Sequence, residues 1–283
     1  MTVSIAPPPR QARLLELASD GGPHAARAQN FVVQWLEWPH AAQTAAASPH
    51  EMLLLLPDCA ATVVSHTEPT GTTCELPARR VAILPPGRHT IALQGPGAAA
   101  LIASRRDDLP DGAIRNDSAY RPPDERVAPY LPAFTRRGGD TGIVAIDIDA
   151  AAAPADNPRL KMFMTETLSI NWVEYAGPRD RTSLSPHSHA DFEQGSLAMA
   201  GRYVHHLRTP WGKDATRWQE DRHLQAGPGS LLIVPVEIIH TTEGEGTDRH
   251  LLIDVFSPPR RDFIAKDWVY NAADYRDGAK DSR

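Results

Sequence analysis

A chain of 283 residues with 41% hydrophobic residues is long enough for one large domain or two ordinary ones, and either can bury a substantial core. A net charge of -6 excludes the basic footprint of a nucleic-acid-binding surface, and no run approaches the ~20 apolar residues that cross a bilayer. Residues 1–10 hold no apolar stretch of signal-peptide length and are interrupted by Pro-Pro-Pro, so a cytoplasmic setting is expected, with Cys59 and Cys74 reduced rather than paired.

The 26 prolines and 19 glycines punctuate the chain at the pitch of short strands and turns. In order, residues 11–18 read as a short helix that 25–29 extends loosely. A strand at 31–36, rich in Val, Phe and Trp, follows. Then come the apolar run between His50 and Asp58 and strands at 61–65, 81–84, 90–93 and 100–104. Residues 110–142, carrying Pro122-Pro123, Pro129, Pro132 and Gly138-Gly139, read as a linking segment. Strands resume at 141–149, 160–165 and 168–174, and Gly177-Pro178-Arg179-Asp180 makes a turn. A strand from Gln194 to about Met199 turns tightly at Ala200-Gly201 and returns over 202–207. Residues 208–223, with Trp211 and Trp218, decorate a barrel mouth or edge. The strand 251–256 closes the barrel, and 262–275 reads as a short helix and tail.

Two stretches stand out chemically. Pro186-His187-Ser188-His189 places two imidazoles two residues apart, on one side of an extended segment. A third imidazole, His240, ends the stretch that starts at Gly229 and passes through Pro235. Three imidazoles from two distant segments form a natural nest for a divalent transition metal. If Gln194 faces inward, so do Ser196 and Ala198. A two-residue turn would then pair Met199 with Arg202 and bring Tyr203 and His205 inward as candidate proton-moving groups.

The first half reads as a worn copy of the second. Six residues separate Glu51 from Asp58, as they separate Gln194 from Gly201. Leu84-Pro85-Pro86-Gly87-Arg88-His89 parallels the stretch from Val234 to His240, one residue shorter. The first copy lacks the paired imidazoles: His24, His40, His50, His66 and His89 are scattered, so no metal is expected there, although Glu51 and His89 could form a remnant polar pair.

These motifs resemble those of the cupin superfamily, G-x5-H-x-H with a following E and G, and G-x5-P-x-G-x2-H. His187, His189 and Gly201 match the first; Gly229, Pro235 and His240 match the second, with Glu237 where the family has glycine. The spacing to Gly201 puts the fourth ligand position at Gln194, and Glu193 is the alternative if the register slips. Phe192-Glu193-Gln194 is similar to a sugar-acid subgroup that uses the glutamine oxygen. The resemblance implies an all-β chain of two tandem antiparallel jelly-roll barrels with short peripheral helices. Its parts are a degenerate barrel at 1–110, a linker at 111–140 and a metal-binding barrel at 141–283. It further implies one divalent transition metal (Fe, Mn, Ni or Zn) on His187, His189, Gln194 and His240, and a small-molecule substrate, with no nucleic-acid or membrane partner. A homodimer is the commonest assembly and stays open. Lewis-acid isomerisation, ring opening or elimination of a sugar acid or hydroxy-keto compound is the expected chemistry. Iron-dependent dioxygenation and non-catalytic sensing are the alternatives.

Overall fold

In the computed structural model the described residues are 10–18, 24–39, 43–67, 71–130, 134–139 and 142–278; the readings at residues 1–9, His40, Pro132 and Thr141 lie outside them. Among these residues the elements are strands and short 3-10 turns, with one α-helix, Arg261–Ala265. Two barrels form. The first faces a six-stranded sheet (Val144–Asp147, Arg80–Leu84, Met52–Leu56, Ala98–Ala103, Val32–Glu37, Ala25–Arg27) with a four-stranded one (Gln43–Ser48, Gly87–Gln94, Ala60–Ser65, Thr72–Leu76). The second faces a six-stranded sheet (Arg13–Glu16, Ser230–Val234, Gln194–Ala200, Arg249–Phe256, Ser169–Ala176, Leu160–Met164) with a three-stranded one (Arg222–Ala226, Arg202–Arg208, Ile239–Glu245).

Alternation along the strands decides what each face meets. In Met52–Leu56, residues Leu53 and Leu55 join Val81, Ile83 and Trp35 on the back of the first barrel. They pack against Phe163, Ile170, Trp172, Leu197, Ile233 and Ile253 on the back of the second. The two large sheets therefore stack back to back. Met52, Leu54 and Leu56 point the other way and fill the first barrel with Ala82, Leu84, Val63, Ile91 and Leu93. Burial on both faces explains the unbroken apolar run. Each such side chain contributes roughly 1.5–3 kcal/mol relative to exposure.

Several expectations are corrected. Residues 11–18 and 25–29 are not helical: Arg13–Glu16 and Ala25–Arg27 are strands. Leu14 turns into the second barrel while Leu15 and Leu17 join the inter-barrel core, so period-two burial overrides a helix-compatible composition. Arg13–Glu16 pairs with Ser230–Val234 of the second barrel, and Val144–Asp147 pairs with Arg80–Leu84 of the first. Each barrel thus takes an edge strand from the other's stretch of chain, across the segment limits expected at 110 and 140. Gln194–Ala200 and Arg202–Arg208 do not pair as a hairpin; the chain crosses at Gly201 from the large sheet to the small one. Gly201 has φ 92, and a Cβ there would lie 2.7 Å from His250 Cδ2, so the crossing requires glycine. The linking segment is not featureless, because Phe134–Arg136 pairs with Tyr275–Asp277 of the tail. Glu51 and His89 do not meet: Glu51 accepts from Arg136 Nε at 2.6 Å and from Tyr275, while His89 bonds the Pro85 carbonyl. Trp211 and Trp218 stack on each other at 4.3 Å and stay exposed instead of packing on the barrel. Both cysteines are free. Among the described residues no helix is long and apolar enough to cross a membrane.

Candidate metal centre

The inner face of the second barrel is polar where that of the first is apolar. In the large sheet, Ser196 lies opposite Asp254, which in turn lies opposite Asn171. In the small sheet, His205 lies opposite Thr242 and Leu207 opposite His240. Directly opposed residues share a face. Between the two faces is a cavity of about 240 Å³, whose walls include His187, Gln194, Tyr203, His240, Thr242 and Asp254.

The segment carrying His187 and His189 is extended but is no regular strand. A single antiparallel bridge holds it: His187 N donates to the His240 carbonyl at 3.1 Å, and His240 N donates back at 2.8 Å. Glu237 N donates to the His189 carbonyl at 2.6 Å. Glu237, at the position where the resembled motif has glycine, has φ 69; it adopts the left-handed turn that glycine favours, and Arg126 answers its carboxylate at 2.7 Å. The two motifs are thereby stitched together through the backbone, and the three imidazoles offer nitrogens that all lie within 4.8 Å of one another.

The tautomers are set by the backbone. His187 Nδ1 donates to the Ser185 carbonyl at 2.9 Å and His240 Nδ1 to the Ile238 carbonyl at 2.9 Å, leaving each Nε2 as the free lone pair. Burial pushes the His189 pKa down to about 3 and the His240 pKa to about 4, with neighbouring imidazoles adding to the effect, so both rings are neutral at pH 7. Gln194 Oε1 lies 3.0 Å from His189 Nε2 and 3.2 Å from His240 Nε2. Its amide nitrogen is held by Ser196 Oγ and Asp254 Oδ1, both at 3.0 Å. Converging imidazole nitrogens, an amide oxygen beside them and, for His187 and His240, second nitrogens anchored on carbonyls fit a divalent transition metal. Glu193 turns away. Its carboxylate accepts from Gln29 N at 2.6 Å and Tyr120 Oη at 3.3 Å, and burial raises its pKa.

Tyr203 lines the cavity and donates its hydroxyl to the Ala200 carbonyl at 2.8 Å; burial raises its pKa. His205 is fully buried behind Thr242. Its Nδ1 is 2.8 Å from Thr242 Oγ1, its Nε2 has no partner, and burial holds its pKa down at about 4. Sequence reasoning missed Asp254. It faces the cavity, accepts from Ser196 Oγ at 2.6 Å, and has its pKa raised by burial against the opposing effect of that bond. The available signal was a lone acid inside the apolar run from Leu251 to Phe256.

No family model and no curated protein matches the chain. Among solved structures it is similar to the coconut allergen cocosin, at TM-score 0.51 and 12% identity over 88% of this chain and 86% of that one. It is similar to a deletion mutant of Bacillus subtilis oxalate decarboxylase, at TM-score 0.50 and 11% identity over 87% and 76%. A third is the vicilin of Solanum melongena, at TM-score 0.50 and 6% identity over 81% and 74%. At these identities the likeness is one of fold, and together with the paired six-stranded sheets it gives this chain the two-barrel cupin architecture.

Proposed function

We propose that this chain is a metal-dependent enzyme acting on a small oxygen-rich molecule in the second barrel, with His187, His189, His240 and Gln194 holding one divalent transition metal. The observation that carries the reading is the convergence of the three imidazoles and Gln194 Oε1 at the wall of a cavity that also presents a carboxyl group. Such a cation supplies Lewis acidity toward a carbonyl or hydroxyl oxygen. The ligand set is neutral throughout, so no carboxylate offsets the cation's charge, which favours polarisation of that oxygen and proton movement beside it.

The chain's own groups supply the rest. The Asp254 carboxylate, made more basic by burial, would take a proton from the carbon beside a bound carbonyl and return it to a neighbouring atom. Tyr203, whose proton is engaged by Ala200, contributes a wall hydroxyl, and His205 orients Thr242 from behind. The similar structures include both an oxalate decarboxylase and a coconut allergen, so the site and not the fold carries the assignment. The test is solvent-deuterium incorporation into candidate hydroxy- and keto-acids by zinc-loaded protein under anaerobic conditions. Incorporation that Asp254→Asn abolishes supports the reading. Turnover that requires iron and consumes oxygen in proportion to product would replace it with dioxygenation.

A further inference from the structure

Arg159 and Arg179 line the same cavity as His187 and His240, and among the described residues no ion pair within 4.0 Å holds either of them. Arg260, the third arginine of the wall, is by contrast held by Asp262 at 2.6 Å. The side-chain partners of Arg179 are weak, the Ser183 carbonyl and Ser185 Oγ, both at 3.5 Å. Ser185 is also the residue whose carbonyl fixes His187 Nδ1, so one residue separates the guanidinium from the metal nest.

The position of Arg179 is built in. Its backbone N donates to the Gly244 carbonyl at 2.9 Å, on the strand that carries His240. Gly244 has no room for a side chain, since a Cβ would fall 2.2 Å from Tyr175 Oη, and Tyr175 is another wall residue. Burial first, and then the like charge of Arg159 in the same wall, lower the Arg179 pKa. An anion between them relieves both effects. Further in, Asn171 is buried at 6% exposure, lines the cavity, and has a side-chain oxygen with no partner. A buried acceptor left unpaired is costly, and a ligand hydroxyl would satisfy it.

We propose that the ligand of this cavity is a small hydroxy acid, its carboxylate held by Arg159 and Arg179 and its hydroxyl donated to Asn171 Oδ1 while its far oxygens face the histidine nest. This deepens the proposed function and rests on the cavity being that site. Guanidinium groups suit the task because their forked donors match a carboxylate.

The test uses calorimetry on the full chain, as purified and after cobalt(II) loading. The probes are glycolate, malate, tartrate and gluconate, each with its methyl ester, and succinate as the hydroxyl-free partner of malate. Acids should bind and esters should not. Arg159→Gln and Arg179→Gln should each weaken binding about tenfold, the double variant should lose it, and Arg179→Lys should keep the charge but recover only part of the affinity. Asn171→Leu should remove the preference for malate over succinate. Cobalt affinity should be the same in the arginine variants as in the wild type. Esters binding as well as acids, a double variant binding like the wild type, or no acid binding at all would each overturn the proposal. Failure of the wild type to take up cobalt would instead sink the metal reading, and the acid titrations on the protein as purified would still decide the role of the arginines.

Discussion

The orientation of Gln194 rests on Asp254, and removing that carboxylate should loosen the metal centre without touching a ligand. Gln194 Nε2 is held by Asp254 Oδ1 and by Ser196 Oγ, each at 3.0 Å, and Ser196 in turn donates to the same Asp254 oxygen at 2.6 Å. This pair of acceptors pins the amide nitrogen on the far side and aims Oε1 at His189 and His240. Asp254→Ala removes one acceptor outright and frees Ser196 to rotate. Hydrogen bonds to a carboxylate are worth about 1.5–3 kcal/mol each, and they are not additive within one network. Only the part that orients the amide reaches the metal, which places the loss in the range found for groups behind metal ligands, about 10–100-fold in affinity. Competition of zinc against a chelator, followed by elemental analysis, measures it. A folded Asp254→Ala protein with zinc affinity within about twofold of the wild type would refute the claim that Asp254 sets the amide.

Three further outcomes are expected. His187→Ala and His240→Ala should reduce bound metal to less than about one tenth of the wild-type content, read by elemental analysis, because each removes one of three converging imidazoles. Glu193→Ala should leave metal content unchanged but cost about 1–3 kcal/mol in denaturant unfolding, since it strands the half-buried Gln29 N–H and the buried Tyr120 hydroxyl; loss of metal there would make Glu193, not Gln194, the fourth ligand. Burial lowers the pKa of His89 in the first barrel, so the folded state refuses a proton that the unfolded chain accepts below pH about 6.5. Its contribution is therefore complete at neutral pH and declines as pH falls, by at most about 1.4 kcal/mol per pH unit. His89→Gln should flatten the unfolding free energy against pH between about 5 and 7; an unchanged slope would show that His89 is not responsible.

The three-histidine cluster was legible because two of its members lie two residues apart and the third closes a distinct motif. Gly201 follows the strand that begins with Gln194, and counting back from it by the spacing of the resembled motif points to Gln194, with Glu193 as the alternative. His187, His189 and His240 follow from motif order alone. What stayed hidden is what depends on distant pairing. Arg13–Glu16 reads as well for a helix as for a strand, and its partner Ser230–Val234 comes from the other end of the chain. The crossing at Gly201 was hidden for a related reason. A glycine turn between two strands looks the same whether they pair with each other or enter different sheets. Tyr203 still came out buried, but opposite Gly244 and Ala226 and not opposite Ala198. Asp254 needed the register of Arg249–Phe256 against Gln194–Ala200 before its lone carboxyl could be placed beside Gln194.

The first barrel has a physical role in this arrangement. A polar inner face deprives the second barrel of part of its own core, so stability must come from the back of its large sheet, where Leu197, Ile233, Ile253 and Val255 pack on the first barrel. The contact is also local to the ligands. Gln29 N donates to Glu193, and Asn30 Nδ2 donates to the carbonyls of Ala128 and Ser257. The Phe31 ring lies so close behind Gly195 that a Cβ there would sit 2.9 Å from its Cε2. The residues on either side of Gln194 are thus both held by the first barrel. With Glu193 hydrogen-bonded outward and Gly195 pressed from behind, the strand has one register available, and that register turns Gln194 into the cavity. The first barrel acts as the clamp that aims Gln194 at His189 and His240.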